Sequence, residues 1–306
     1  PGEILYVARG GCFDNYVFEA GKCYEFYIYK GGVSGGHDTV IPRQIMEHDI
    51  AVLGFVSPYS GCLLEDEQVG IRIYNAGFKD IAAGTLKARY RVDGQDYIEE
   101  TIDQAIPWWD TLVFHFSEKA DLSAIGTHRI EAEIIWEEDA IHQNDTASLD
   151  IVNMTPWSGT LPFRDDFASA ENISQNGWTI INADENGNPA TGVPEWEFMP
   201  NIGHDSVDEY SGTCMSCYGV WNKPSNAYLI SPPIPLKKGS ARISLWARIA
   251  GGGFNYVESF SVMLGRNLDV NSMETLAEFD EISNPNWVRF PVNADIPEDG
   301  NYFFAI

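Results

Sequence analysis

The chain has 306 residues, 44% of them hydrophobic, which suits two or three domains that each bury a core. Its 45 acidic and 19 basic residues give a formal net charge of −26, and this charge repels phosphate backbones and argues against nucleic acid as a partner. No apolar run approaches the ~18 residues that a membrane-spanning helix needs, so we predict no membrane-spanning segment.

Changes in composition divide the chain into three parts. A Gly-rich stretch ends at the strand-like run "IAVLGFV", which places a boundary near Glu47. A second boundary falls near Thr155, where "NMTPWSGTLPF" carries two prolines and a glycine between strand-like runs. We therefore predict an N-terminal β segment at 1–47, which we expect to be the tail of a preceding domain, and domains at 48–155 and 156–306.

The middle part alternates apolar and polar residues with a period of two, which is typical of half-buried strands. Arg72, Lys87 and Arg89 are expected to face solvent, and Asp93-Gly94 is expected to form a tight hairpin turn. The residues expected to face the core are Val69, Ile71, Ile73, Leu86, Ala88 and Tyr90.

Strand-like runs continue through the last part, for example "ARISLWARIA" and "ESFSVMLG". They recur at intervals of roughly 8–15 residues, with Gly, Asn and Asp turns between them, and no long stripe of helical period interrupts them. The sequence therefore predicts an all-β protein of tandem antiparallel β-sandwiches.

Two segments resemble known families. The span 161–306 resembles the cleaved-adhesin or choice-of-anchor J domain of surface adhesins and gingipain-type proteases of Gram-negative anaerobes, through "FRDDF", "NGWTIINADENGN", "NAYLISPPIPL" and "YVESFSVMLG". The span 49–153 resembles the CARDB-like Ig fold, through "DIAVLGFVSPYSGCLLEDEQVGIRIYNAG", "YRVDG" and "HQNDTASLDI". The resemblance implies an Ig-like domain followed by a jelly roll.

The resemblance also implies a structural calcium ion in the second domain. An acidic residue of the family's early motif is Ala168 in this chain, and the neighbouring Asp165 and Asp166 are its expected substitutes. Alternation in an entry strand would turn one of these two carboxylates towards the rim of the sheet.

A further set of oxygen donors follows in "NADENGNPATG". Asp184, Asn186 and Asn188 stand two residues apart around Gly187, like the opening of a calcium loop. No flanking helices are predicted, so an EF-hand is not expected. Either a calcium site of another kind or a solvated Asn/Asp/Gly turn fits this pattern.

Tryptophans are the main argument for ligand binding, because flat apolar rings with a polar edge suit sugars and peptides. The candidates are Trp108, Trp109, Trp196 and Trp221. In an extended segment Trp108 and Trp109 would point to opposite faces, which would leave one of them exposed. The alternative is that these rings fill the cores of the sandwiches.

Sequence motifs of catalysis are absent: there is no GxSxG, no HExxH and no Gly-rich phosphate loop after a strand. The cysteine count of five does not suit a complete disulfide framework, although Cys12 and Cys23 could close a hairpin. Cys214 and Cys217 are interpreted as structural, because no second CxxC supplies zinc ligands.

The predicted function is that of a secreted or outer-surface, non-catalytic adhesin that binds a host or dietary protein or glycan. The alternative is an accessory binding or spacer module of a larger secreted protease or glycosidase. The first residue is Pro1, with no basic and apolar leader after it, so we expect any signal peptide to lie outside these residues.

Overall fold

The protein is represented by a computed structural model that consists almost entirely of β-strands. The structure describes residues 19, 22–29, 39–167, 173, 175–183, 196–200, 213–217, 226–249 and 257–306. The strands are β1 (Cys23–Tyr29), β2 (Thr39–Ile45), β3 (Ile50–Ser57), β4 (Gly61–Cys62), β5 (Asp66–Glu67), β6 (Gly70–Asn75), β7 (Leu86–Val92), β8 (Ile98–Ile102), β9 (Thr111–His115), β10 (Ala120–Asp121), β11 (Gly126–Ile135), β12 (Thr146–Met154), β13 (Thr179–Asn182), β14 (Trp196–Pro200), β15 (Thr213–Cys217), β16 (Ala227–Ile230), β17 (Ile234–Leu236), β18 (Gly239–Ala247), β19 (Glu258–Gly265), β20 (Glu274–Ile282), β21 (Val288–Ile296) and β22 (Gly300–Ala305). A short 3-10 helix spans Val270–Ser272.

The chain forms two compact units. The first contains Pro1–Pro58, Asp66–Asp121 and His128–Asp150, and the second contains Tyr59–Glu65, Leu122–Thr127 and Ile151–Ile306. The predicted domain limits at 1–47, 48–155 and 156–306 remain predictions. Within the described residues, no helix has the length and the apolar character to cross a bilayer.

Two sheets build the middle of the chain. One has the strand order β3-β6-β9 and the other has the order β4-β12-β11-β7-β8. In the first sheet both pairings are antiparallel. In the second, β7 pairs antiparallel with β8 and β11, and the short pairing of β4 with β12 is parallel. A separate hairpin pairs β1 with β2 from Cys23 opposite Ile45 to Tyr29 opposite Thr39.

The core of the middle part confirms the predicted register. All six residues that the alternation assigns to the interior are at most 1% exposed, whereas Arg72 and Lys87 are exposed and Arg89 is half-buried. The rings of Tyr90 and Phe116 lie 4.7 Å apart in an edge-on arrangement, and the Tyr90 hydroxyl donates to the Glu118 carbonyl at 3.1 Å. A buried polar tip with a partner is the usual arrangement for a core tyrosine.

The predicted hairpin turn after β7 is also confirmed. Asp93 and Gly94 both have positive φ, 50° and 73°, which suits the tight turn expected for an Asp-Gly pair. The Asp93 carboxylate holds the turn against β11, because it accepts from the Arg129 backbone N–H at 2.8 Å and hydrogen-bonds with the His128 ring at 2.8 Å.

The second unit contains a sheet with the order β13-β16-β22-β19-β20, to which β17 adds by pairing with β22. Two further antiparallel pairs are β18 with β21 and β14 with β15. Phe303 is fully buried in a cluster with Ile230, Val270, Met273 and Ala305. Rings from three strands, Phe260, Phe279 and Phe290, lie 5.0–5.2 Å apart.

Candidate functional site

The segment between β8 and β9 forms a turn that displays Trp108 and Trp109. Their side chains are 53% and 50% exposed, and their ring centroids lie 5.4 Å apart with an interplanar angle of 54°. The expectation that the two rings point to opposite faces is wrong, because the segment is a turn and not an extended strand. The φ of Trp109 is 61°, in the left-handed region, where a bulky residue costs about 1–3 kcal/mol.

Hydrogen bonds from one buried and one exposed polar residue hold this turn in place. Asn75, at the end of β6, is fully buried, and its carbonyl accepts from the Trp109 backbone N–H at 3.0 Å. Its side chain donates to the Lys79 carbonyl at 2.8 Å and to the Ile106 carbonyl at 3.0 Å. The Asp80 carboxylate accepts from the Trp108 backbone N–H at 2.9 Å. The two exposed rings therefore stand on a hydrogen-bonded support.

The other two candidate tryptophans differ from this pair. Trp196 lies in β14, is half-buried, and donates from its indole Nε1 to the Ala227 carbonyl at 3.2 Å. This contact ties Trp196 to the neighbouring strand β16. Trp221 lies outside the described residues.

The predicted entry strand around Asp165 and Asp166 is wrong, because residues 163–167 belong to no strand. The Asp165 carboxylate instead accepts from the Phe167 backbone N–H at 2.8 Å, which is an Asx turn that competes with strand pairing. It also accepts from the Asn176 amide and from the Trp178 indole N–H, both at 2.8 Å. Asp165 thus organises a turn and has little capacity left for an ion.

Of the remaining members of the predicted calcium set, only Asp166 lies in the described part of the chain. Asp166 is exposed. Asp184, Asn186 and Asn188 lie outside the described residues, so the loop that they form remains a prediction.

An acidic cluster that the sequence reasoning missed lies in the first unit. Ligand atoms of Asp139, His142 and Asp145 all lie within 4.8 Å of one another, in the loop between β11 and β12. Asp139 and Asp145 are buried, at 6% and 4% exposed, and His142 is exposed. A third buried carboxylate, Asp49 at 4% exposed, precedes β3 and accepts from the Asn144 side-chain amide at 2.8 Å.

The electrostatics of this cluster follow from burial. Burial is the largest effect on the Asp145 carboxyl and raises its pKa to about 6. The hydrogen bond and the charge of the His142 ring lower this pKa, and the nearby carboxylates of Asp139 and Asp49 raise it by less. The hydrogen bond to Asp145, 3.0 Å long, raises the pKa of His142 in turn. The carboxylates of Asp139 and Asp49 favour the neutral form of Asp145, because like charges repel more strongly in a poorly solvated place.

A signal for the cluster was present in the sequence but weak. Asp139, His142 and Asp145 stand three residues apart, and two of them lie in "HQNDTASLDI", which resembles the Ig-like fold and carries no metal motif. The burial of two of these side chains, and the approach of Asp49 from about ninety positions earlier, depend on the pairing of distant strands.

Two of the described cysteines, Cys62 and Cys214, lie in surroundings that disfavour the thiolate. Burial raises the pKa of the Cys62 thiol to about 11 and also raises the pKa of the Cys214 thiol above its ordinary value. The thiolate is the reactive form, so burial disfavours the reactive form of these two thiols. Cys214 is buried and Cys217 exposed on the same strand, β15, and Cys12 lies outside the described residues.

Among known proteins, similarity to this chain is found only in comparisons of structure. No family model and no curated protein matches the chain. A solution structure of a CARDB domain from Pyrococcus furiosus is 18% identical and covers 36% of this chain and 98% of its own, with a TM-score of 0.30. A crystal structure of that domain in complex with di-metal ions is 19% identical and covers 37% of this chain and 94% of its own. Its TM-score is also 0.30.

A third solved structure spans most of the chain. The N-terminal CBM22-1–CBM22-2 tandem domain of Xyn10C from Paenibacillus barcinonensis is 13% identical and covers 94% of this chain and 84% of its own, with a TM-score of 0.30. The choice-of-anchor J assignment of 161–306 remains a prediction.

Proposed function

We propose that the chain is a non-catalytic binding protein that presents Trp108 and Trp109 to a protein or glycan ligand. The observation that carries the proposal is the exposure of two adjacent rings on a turn that a fully buried asparagine supports. Exposed large rings lose solvent contact when a ligand covers them, which is the main source of affinity at an aromatic platform. The strained φ of Trp109 supports a role in display, because strain of this kind clusters at ligand clamps.

The charge around the platform favours a neutral ligand. Asp80 and Asp110 flank the turn, and their carboxylates accept from the backbone N–H groups of Trp108 and Thr111. The whole chain has a net charge of −26. Both features disfavour sulfated or uronic-acid glycans, because like charges repel during approach and in the complex. A neutral oligosaccharide or an uncharged peptide segment is therefore the ligand class that we propose.

The setting of this activity is the surface of a cell or the secreted fraction. We propose an adhesin-type role, in line with the resemblance of 161–306 to the cleaved-adhesin domain and of 49–153 to the CARDB-like Ig fold. The alternative is an accessory module of a larger secreted protease or glycosidase, in which the same platform would hold a substrate near a catalytic domain. A catalytic domain elsewhere in the full-length protein would favour that alternative.

A structural calcium ion belongs to this proposal as well. Because Asp165 already accepts three hydrogen bonds, Asp166 and the loop with Asp184, Asn186 and Asn188 are the members of the predicted set that we keep as ligands. The raised pKa values of the Cys62 and Cys214 thiols support the non-catalytic part of the proposal.

The test is binding to an array of neutral and anionic oligosaccharides and to surface-protein extracts, with the chain and three variants. Trp108→Ala and Trp109→Ala are expected to weaken binding at least tenfold each, because each removes half of the platform. Trp246→Ala is the matched control, since Trp246 is 41% exposed in β18, away from the turn in sequence, and its loss is expected to leave binding unchanged. Equal losses in all three variants, or binding that none of them alters, would refute the platform.

A further inference from the structure

The loop between β11 and β12 has more buried negative charge than the described protein groups neutralise. Asp139 and Asp145 are both buried, and the described residues provide neither of them with a lysine or arginine ion pair. The ion pair recorded for Asp145 is with His142, whose side chain is 68% exposed. Taking carboxylates out of water is costly unless a counter-charge and hydrogen bonds compensate them.

Asp139 is well supported by the backbone but has unused acceptor capacity. Its Oδ2 accepts from the Ile50 N–H at 2.6 Å, and its Oδ1 accepts from the Ile141 N–H at 2.5 Å. Each carboxylate oxygen has two lone pairs, so one on each oxygen is left for another ligand. The two backbone bonds fix the direction of those lone pairs.

Two buried oxygens in the same loop have no hydrogen-bond partner among the residues that the structure describes. They are Oδ1 of Asp145, on a side chain that is only 6% exposed, and Oδ1 of Asn144. The rest of both side chains is fixed, because Asp145 Oδ2 bonds the His142 ring and the Asn144 amide donates to Asp49. An unsatisfied buried acceptor costs about 1–3 kcal/mol, and more when it is charged. Oxygens held in place without a donor are suited to a cation.

We propose that Asp139, His142 and Asp145 bind a divalent cation, with the carboxylates of Asp139 and Asp145 as its principal ligands. The ligand atoms of the three residues lie within 4.8 Å of one another, which is the separation of groups around an ion with bonds of about 2.0–2.6 Å. The cation supplies the positive charge that the buried carboxylates lack and gives Asp145 Oδ1 a partner. Asn144 Oδ1 is an additional oxygen donor from the same loop.

The site would tie two distant parts of the first unit together. Asp139 bonds the first residue of β3, Ile50, and Asn144 bonds both Asp49 and β3, since its carbonyl accepts from the Val52 N–H at 2.8 Å. An ion in the loop would therefore stabilise the packing of the loop against the start of β3. This inference does not depend on a ligand at the tryptophan turn.

A substitution at His142 can show whether the bound ion is calcium or a transition ion such as zinc. Calcium takes oxygen ligands and leaves an imidazole aside, whereas zinc and similar transition ions favour an imidazole nitrogen. Replacement of the exposed His142 by alanine should therefore reduce the affinity for zinc at least tenfold and leave the affinity for calcium within about twofold.

The experiment uses the whole chain, stripped with a chelator and titrated with Ca²⁺, Zn²⁺ or Mg²⁺ by calorimetry, with thermal melting alongside. A bound ion raises the melting temperature by mass action. Asp145→Asn keeps the shape of the side chain and is expected to lower the affinity at least tenfold. Asp150→Asn is the matched control, since Asp150 is an exposed carboxylate of the same unit that pairs with Arg129, and its loss should not alter the titration.

Asp166→Asn distinguishes this site from the calcium set of the second unit. Binding that survives Asp166→Asn and is lost in Asp145→Asn supports the inference. Binding that is lost in Asp166→Asn and survives Asp145→Asn overturns it and places the ion in the second unit. A stripped chain that shows neither a titration nor a shift in melting temperature with any of the three ions also overturns it.

Discussion

Asn75 offers the sharpest test of how the tryptophan turn is supported, through the substitution Asn75→Ala. The side chain is fully buried and makes three hydrogen bonds, to the Lys79 and Ile106 carbonyls and from the Gly77 N–H at 3.1 Å. The backbone bonds of residue 75 to the turn persist in alanine, so the change removes only the side-chain support.

The expected loss of stability in Asn75→Ala depends on which of the three bonded groups keep another hydrogen-bond partner. The Ile106 carbonyl also accepts from the Ile81 N–H at 2.9 Å, and the Gly77 N–H also points to the Asp49 carbonyl at 3.0 Å. The Lys79 carbonyl loses the donor that Asn75 supplies. With about 1 kcal/mol for each of the three side-chain bonds, the free energy of unfolding should fall by about 2–4 kcal/mol.

The assay is urea denaturation followed by tryptophan fluorescence and circular dichroism, with the m-value compared between variants. Asn284→Ala is the control, since the half-buried Asn284 donates to two carbonyls near the surface and its loss should cost under about 1 kcal/mol. A loss in Asn75→Ala no larger than that of the control would show that the buried amide does not hold the turn.

Three further predictions concern stability. Phe303→Ala should cost about 3–5 kcal/mol, because the ring is fully buried, while Val288→Ala, 41% exposed, should cost under about 1 kcal/mol; equal losses in urea melts would contradict the assigned core. Gly94→Ala should cost about 1 kcal/mol, because φ is 73° and the added methyl group meets no atom within 4 Å, so a larger calorimetric loss would require another cause. The Arg129 N–H holds the pKa of Asp93 below its ordinary value, so the advantage of the wild type over Asp93→Asn should be present above the unfolded-state pKa and vanish as the pH falls through the folded-state pKa. An advantage in melting temperature that is independent of pH between about 2 and 6 would contradict that assignment.

The strands and their faces could be predicted from the sequence because alternation is a local property. Tyr90 and Ile73 are buried because every second residue of a paired strand faces the same side, and this holds whatever the partner strand is. The turn at Asp93-Gly94 could be predicted for the same reason, since the preference of Gly for positive φ depends only on the local residues.

Predictions from local sequence patterns were wrong where a side-chain hydrogen bond or an unusual backbone torsion sets the local conformation. Phe163 and Phe167 flank three polar residues that we predict in an entry strand, yet the Asp165 carboxylate accepts from the Phe167 N–H and forms a turn. Trp108 and Trp109 were expected on opposite faces, and the left-handed φ of Trp109 places both rings on one turn. In both cases a single torsion or hydrogen bond decides which way several side chains point.

The sequence by itself determined that this protein is all-β, since its composition and its period of two leave no room for long helices. Only the tertiary structure decided which polar residues meet. Asp49 and Asn144 are far apart along the chain, and they come within hydrogen-bonding distance only because the loop before β12 packs against the start of β3. Burial leaves Asp145 Oδ1 without the solvent contact that a surface carboxylate has. This burial depends on all the strands that surround the residue.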